Sequence, residues 1–405
     1  MATEALIESR PSHVRLIAVI SAAHFVSHYY ILILAPLLPF VREAYGVSYT
    51  EIGLALTAFN VVTGALQTPA GFLVDWLGAR VILIVGLLIG ATAFVVVGMV
   101  DSFWVLVAMF GLAGVGNTVY HPADYTLLSQ HVPAERIGQA FSIHTFAGMM
   151  GSAFAPTSLL MMQSVWGWRA AFIGAGLFGF AVAAILLLVR DNAPAHAAAP
   201  VAKASEDKPA EGWRLLMTAP ILMNMFFFVL IAMISGGMFN YSVVALGALY
   251  DTPPAVANSA LCSLLLLSAV GVLVGGVAAT RVSRHAWVAA LGLALMALMA
   301  ALVAQFDMNT VLLVLVMTAF GFFYGIIMPS RDMIVRDVTP PGSFGKVFGF
   351  VTTGFSIGGI VSPLTFGAIM DHGSPRLVFV AVAAFALLSV FTVISLPKNL
   401  PKKAA

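Results

Sequence analysis

Charge is scarce in this chain. Of 405 residues only 9 % are Asp, Glu, Lys or Arg and 61 % are hydrophobic, with a mean hydropathy of +1.01. Soluble domains carry about a quarter of their residues as charges, so a water-soluble class is excluded. Cysteine is nearly absent too. Cys262 stands alone, which rules out an internal disulfide and leaves cysteine chemistry without a role. There is also no G-x-x-x-x-G-K-[ST] loop to cradle nucleotide phosphates, so direct ATP drive within this chain is not expected. The basic excess is small, a formal net charge of +2, and asks for no nucleic-acid partner.

What the sequence has in abundance is long apolar runs. Hydrocarbon about 30 Å thick needs roughly 20 apolar residues per helix, and such runs recur with polar or Gly/Pro breaks between them. A transmembrane barrel would show strands of about 10 residues with alternating polarity; these runs are continuous and too long. The fold class expected is therefore an all-α polytopic membrane protein. Helices are placed near 14–40, 50–74, 81–100, 103–129, 137–163 and 169–189, then near 215–248, 255–280, 286–305, 309–335, 344–370 and 376–396. These twelve fall into two groups, 1–189 and 215–405, separated by "RDNAPAHAAAPVAKASEDKPAEGWR" at 190–214, which reads as a solvated linker. That linker is too short to be a domain. Residues 1–13 lack the compact pattern of a cleavable signal, so the first helix is expected to stay as an anchor.

Lys and Arg set the orientation. With the N-terminus inside, nearly all of them fall in inner segments, and the outer loops hold only Arg42, Arg169 and Arg376. Both termini and the linker are thus expected in the cytoplasm, in a multi-pass inner-membrane protein.

The two groups are copies of one another. An offset of 207 residues pairs Gly114 with Gly321, Pro122 with Pro329, Pro133 with Pro340, Gly138 with Gly345 and Phe141 with Phe348. The same register continues through Thr145 and Thr352, Gly151 and Gly358, Pro156 and Pro363, Arg169 and Arg376, and Phe172 and Phe379. Internal duplication on this scale is the sequence mark of transporter architecture.

A local motif joins the repeat. "GFLVDWLGAR" at 71–80 carries Gly71, Asp75, Gly78 and Arg80 in the pattern G-x-L-x-D-x-x-G-x-R, directly after the second helix. Two parallel six-helix halves with this loop resemble the major facilitator superfamily. The matching stretch in the second half, "GVAATRVSRH" at 276–285, keeps Gly276 but lacks the acid. Read as a plain turn, the loop needs its glycines for close packing and Asp75 as a cap. The resemblance adds a role for Asp75 and Arg80 in latching one of two alternating states. It also implies a secondary transporter rather than an enzyme, with no cofactor, working as a monomer on a small-molecule substrate in a lipid bilayer.

The ionisable groups inside the runs are the candidate site. "VYHPADYTLL" at 119–128 places His121 and Asp124 in an otherwise oily segment, and at the 207 offset Asp124 falls on Arg331, within "MPSRDMIVRD" at 328–337. A buried charge left alone costs several kcal/mol, and ionisable groups inside a membrane mark substrate or ion pathways. Asp124 and Arg331 are therefore expected to face a central cavity and to gate it, with Asp332 as a further gating candidate. Snorkelling to the interface is open to Arg331 but not to the short Asp124.

"AAHFVSHYY" sets His24 and His28 four apart, on one face of the first helix. Together with His121 and Asp124 they are candidate proton carriers. They equally suit hydrogen-bonded core positions, and His144 is read in that way. A transition metal would also accept His and Asp, but with no further cluster of Cys, Asp or Glu beside them no metal is assigned. Asn117, Tyr120, Asn240 and Tyr324, with Tyr29 and Tyr241, offer hydrogen bonds from apolar walls as small-ligand sites require. "MNMFFF" at 223–228 is read as packing or lipid-facing.

Small residues in "FAGMMGSAFAP" at 146–156 loosely resemble the helix-5 motif of proton-coupled drug exporters, with Ala155 standing where that motif has its last glycine. "YHPADY" resembles the His-Pro element of the fosmidomycin-resistance branch. That resemblance implies proton-driven antiport of a small anionic drug, and a guanidinium such as Arg331 suits carboxylate or phosphonate. Proton-coupled uptake of an organic anion fits as well, and a non-transporting receptor on the same fold is the alternative from another class.

Overall fold

A computed structural model describes residues 10–132, 137–188, 212–282, 284–339 and 344–394. Most of the linker 190–214 and both chain ends lie outside the described residues. Those described form helices and connecting turns, with no strand among them. In the first half the helices are α1 (Arg10–Ile31), α2 (Leu34–Tyr45), α3 (Tyr49–Leu77), α4 (Ala79–Met99), α5 (Phe103–Asn117), α6 (Tyr120–His131) and α7 (Ile137–Leu188). The second half has α8 (Gly212–Leu216), α9 (Ala219–Ser235), a π-helical turn at Gly236–Tyr241, α10 (Ser242–Tyr250), α11 (Pro254–Arg281), α12 (His285–Gln305), α13 (Thr310–Asp337), α14 (Phe344–Asp371) and α15 (Arg376–Ile394).

Ten stretches among the described residues are long and apolar enough to cross a membrane. One of them, Ile143–Leu188, has 46 residues, more than twice a single crossing. Gly167 interrupts it with φ 84° and ψ 164°, a left-handed backbone that glycine adopts without penalty, so it supplies two crossings. Tyr49–Leu77, 29 residues long, makes the twelfth.

Several helices expected to be continuous are broken, each where the chain lacks a donor or a Cβ. Proline has no N–H for the carbonyl four residues back and its ring crowds that carbonyl. Pro36 does this to Leu32, between α1 and α2, and Pro122 does it to Thr118, between α5 and α6. Pro329, the repeat mate of Pro122, instead lies inside the unbroken α13. In the second half the π turn at 236–241, opened by Gly236 and Gly237, takes the place that the Leu32–Ile33 break has in the first.

The chain divides into two compact units, Met1–Val47 with Ala58–Lys203, and Ser48–Thr57 with Ala204–Ala405. The duplicated register is visible in how each unit packs. An added Cβ at Gly151 in the first unit would strike the Phe25 backbone, and one at its mate Gly358 in the second would strike Val229 and Ala232, Ala232 being Phe25 shifted by the same 207 residues. Likewise Gly114 lies against the Phe59 backbone of α3 and Gly321 against the Leu264 backbone of α11. Glycine lets these helix backbones approach, the usual route to tight packing where lipid supplies no hydrophobic drive between helices.

The Ser48–Thr57 segment packs within the second unit. The Tyr49 and Thr50 N–H groups donate to the Asp371 carboxylate at 2.6 and 2.8 Å. A carboxylate on orphan donors at the positive end of a helix is a favourable cap, and Thr57 Oγ1 adds a hydrogen bond to the Ile360 carbonyl at 3.3 Å.

Gly321→Ala is expected to lower the melting temperature of the purified protein by several degrees, since the new methyl meets backbone and overpacking costs about 1–3 kcal/mol. Gly349→Ala, with nothing within 4 Å of the added Cβ, should leave it unchanged.

A buried histidine–aspartate cluster and a stacked arginine

Within the first unit three helices converge on Asp124. On α1, His24 and His28 share a face by their spacing of four. On α7 the same spacing lines up His144, Gly148 and Ser152, and that stripe faces the two α1 histidines: a Cβ on Gly148 would come within 2.6 Å of the His24 ring and 2.9 Å of the His28 ring. On α6, Tyr120 and Asp124 are likewise one turn apart.

Asp124 has no exposed surface. His24 Nδ1 lies 3.4 Å from its Oδ2 and His144 Nε2 lies 3.7 Å from the same oxygen. Neither carboxylate oxygen has a hydrogen bond among the described residues, and the same holds for His24 Nδ1, for both ring nitrogens of His144 and for the Tyr120 hydroxyl. His24 stacks on His144 with centroids 3.8 Å apart, and its edge meets His28 at 4.7 Å and His121 at 5.4 Å. His28 Nδ1 is 3.3 Å from Ser152 Oγ. His121 is exposed and its ring lies against Tyr125. Four imidazoles and one carboxylate thus form a single contact group, able to share protons or to offer several nitrogen and oxygen lone pairs at one point. The ligand atoms of His24, Asp124 and His144 all lie within 4.8 Å of one another.

The second unit carries a different arrangement. Arg331 on α13 donates through Nε to Asp332 Oδ1 at 2.8 Å, and a terminal nitrogen lies 2.8 Å from that same oxygen. Its guanidinium stands 4.8 Å from the Phe228 ring centroid and 5.2 Å from that of Phe355, a cation–π placement on two aromatic faces, and it also contacts Met328 Sδ at 3.0 Å. The Asp332 side chain is 45 % exposed and that of Arg331 13 %, so the acid reaches solvent or lipid while the base lies against a pair of rings that touch each other, their centroids 4.7 Å apart.

The other residues singled out in the sequence scatter more widely. Asn117 ends α5, half-buried, beside the Thr118–Val119 break. Asn240 sits on the π turn with its side-chain oxygen buried and without a hydrogen bond among the described residues, and π turns concentrate at functional sites. Tyr324 is half-buried two turns before Arg331 on α13 and packs on Phe239 at 5.2 Å. Tyr29 bonds Ser158 and Tyr241 donates to the Pro363 carbonyl at 2.7 Å, both serving packing between helices. Arg80 donates to the Leu186 carbonyl at 2.7 Å, tying the start of α4 to the end of α7, while the Asp75 side chain lies outside those described. "GFSIG" at 354–358 has the G-x-S-x-G spelling of a nucleophile elbow, but it runs inside α14 and not across a strand-to-helix turn.

The family model of the Major Facilitator Superfamily matches residues 20–252 and 225–405, and the chain belongs to that superfamily. It is a multi-pass membrane transporter of small molecules, not an enzyme. A probable sulfoacetate transporter, SauU, of Cupriavidus necator is 27 % identical over 384 residues, covering 87 % of each chain. The fosmidomycin resistance protein of Escherichia coli K12 is 22 % identical over 396 residues, covering 95 % of this chain and 93 % of its own. Among solved structures, the nucleoside transporter NupG superposes with a TM-score of 0.78 at 14 % identity, over 94 % of this chain and 99 % of that one, which speaks to the fold.

Gly148→Ala is expected to push the His24 and His28 rings off their seats and to destabilise the purified protein by about 1–3 kcal/mol. Ser152→Ala removes only one hydroxyl partner and should cost about 1 kcal/mol. Thermal unfolding of the two variants side by side checks the order.

Proposed function

We propose that this transporter moves a small organic anion across the inner membrane, with both termini in the cytoplasm, in exchange for protons and in the direction of export. The observation that carries the reading is Asp124, without exposure and contacted by His24 and His144 within one unit. A carboxylate and imidazoles in apolar surroundings form a group whose charge changes by taking or releasing a proton, and a change of buried charge favours one arrangement of the surrounding helices over another.

Arg331 supports an anionic substrate. A guanidinium seated on Phe228 and Phe355 presents a fork of N–H donors that matches two oxygens of a carboxylate, sulfonate or phosphonate. Its partner Asp332 is the group that a substrate anion would replace. The relatives named for sulfoacetate transport and for fosmidomycin resistance point to the same chemistry. Asn240 on the π turn and Tyr324 in the second unit, and separately Asn117 and Tyr120 in the first, offer further hydrogen bonds to substrate, His28 and His121 extend the proton-accepting group, and Asp75 and Arg80 act on the conformational change rather than on substrate. Alternating access by rocking of the two repeats accounts for the duplication.

In proteoliposomes loaded with sulfoacetate or methylphosphonate, an imposed pH gradient should drive net movement of the anion. Asp124→Asn is expected to abolish gradient-driven movement while sparing exchange of anion for anion. Arg331→Ala should raise KM by about tenfold or more, as loss of a charge-assisted contact predicts. Parental transport by both variants would overturn the assignment, and net movement only from the acidic side with the anion would turn the direction to uptake.

A further inference from the structure

The buried cluster contains more unmet lone pairs than proton exchange between two groups requires. His24 Nδ1, both nitrogens of His144 and both oxygens of Asp124 are shielded from solvent without a hydrogen bond among the described residues. Buried polar atoms are nearly always partnered, and exceptions ask for an explanation such as an ion. Two of the spacings in the cluster approach those of a known chemistry. Zinc is held by imidazole nitrogen at about 2.0–2.1 Å and by carboxylate oxygen at about 2.0–2.2 Å in tetrahedral geometry, so two such ligands stand about 3.4 Å apart. His24 Nδ1 and Asp124 Oδ2 are 3.4 Å apart, His144 Nε2 and Asp124 Oδ2 are 3.7 Å apart, and all three ligand atoms fall within 4.8 Å of one another.

We propose that His24, Asp124 and His144 form a binding site for one divalent transition-metal ion of the zinc class, a ligand distinct from the transported anion. Two imidazoles and one carboxylate are borderline-soft and hard donors together, the set that zinc and cobalt accept and that calcium and magnesium do not prefer. Binding requires the stacked His24 and His144 rings to fan apart so that both lone pairs meet the ion. It leaves a fourth position for water. The ligands come from α1, α6 and α7, so the ion would pin three helices of one unit together. Because Asp124 cannot serve a metal and a proton at once, the bound ion would also block proton-driven movement. The metal site itself needs only the side-chain cluster and stands whether or not the transport reading does.

The test uses the full chain, freed of any affinity tag that binds metals, purified in detergent after chelation. Cobalt(II) titration is followed through its visible d–d absorption, which is intense only in tetrahedral-like sites. One equivalent should produce the bands and zinc should remove them. His144→Gln and Asp124→Asn should each weaken binding by about a hundredfold or more, beyond the loss seen when only an outer-shell partner is removed. His372→Gln, at an exposed position on the turn after α14, should leave binding unchanged. Zinc should also raise the melting temperature of the parent and of His372→Gln but not of the two ligand variants, a readout that requires each variant to be folded. Absent bands in the parent, or bands undiminished in folded His144→Gln, would overturn the site. Metal binding with no anion transport would instead remove the transport reading and leave the site intact.

Discussion

Burying a carboxylate among apolar helices costs several kcal/mol unless something nearby answers its charge, and Asp124 is surrounded by protein on all sides. Its nearest polar neighbours are imidazole nitrogens, His24 Nδ1 at 3.4 Å on one helix and His144 Nε2 at 3.7 Å on another, neither of them hydrogen-bonded to it among the described residues. Much of the first unit can be understood as the scaffolding of that contact. Gly148 and Gly151 strip Cβ atoms from the face of α7 that meets α1, so that the His24 and His28 rings and the Phe25 backbone fit against it. Pro122 interrupts the helix just upstream of Asp124, freeing the Thr118 end of α5 and starting α6 afresh.

The duplicated unit meets the same constraint with the opposite charge. Arg331 stands at the repeat position of Asp124, yet its surroundings are two phenylalanine faces, a thioether and the adjacent Asp332. A guanidinium tolerates this because it is weakly hydrated and stacks on rings, which a carboxylate cannot do. One repeated backbone thus supports a carboxylate beside imidazoles in one copy and a guanidinium on aromatic rings in the other. The difference lies in what the flanking helices offer, imidazoles from α1 and α7 in one case and aromatic rings from α9 and α14 in the other.

How much of this could be read from the chain alone follows from the range of each signal. Twelve crossings, two copies and the 71–80 motif are carried by composition and spacing, and the superfamily match agrees with the fold class they imply. The His24 and His28 pair and the Asp124 and Arg331 correspondence were legible because spacing of four and an offset of 207 need no tertiary information. His144 was not, since a lone histidine on an apolar helix reads as a core residue until Gly148 and Ser152 are seen to share its stripe and face α1. Phe228 was hidden for a similar reason: in "MNMFFF" every residue reads as packing, and only the position of α13 singles out the ring under Arg331. The Pro122 break could have been anticipated from the missing N–H, whereas the Asp371 cap on Tyr49 and Thr50 depends on a contact across more than three hundred residues of chain.

Asp124 has to take part in proton movement, and not merely in packing, for the transporter to work as proposed. The direct measurement is the pH change inside dye-loaded proteoliposomes when anionic substrate is added with no gradient imposed. Parent protein should move protons in step with substrate, and Asp124→Asn, folded and still exchanging anion, should move none. Equal proton movement by the two would contradict that role.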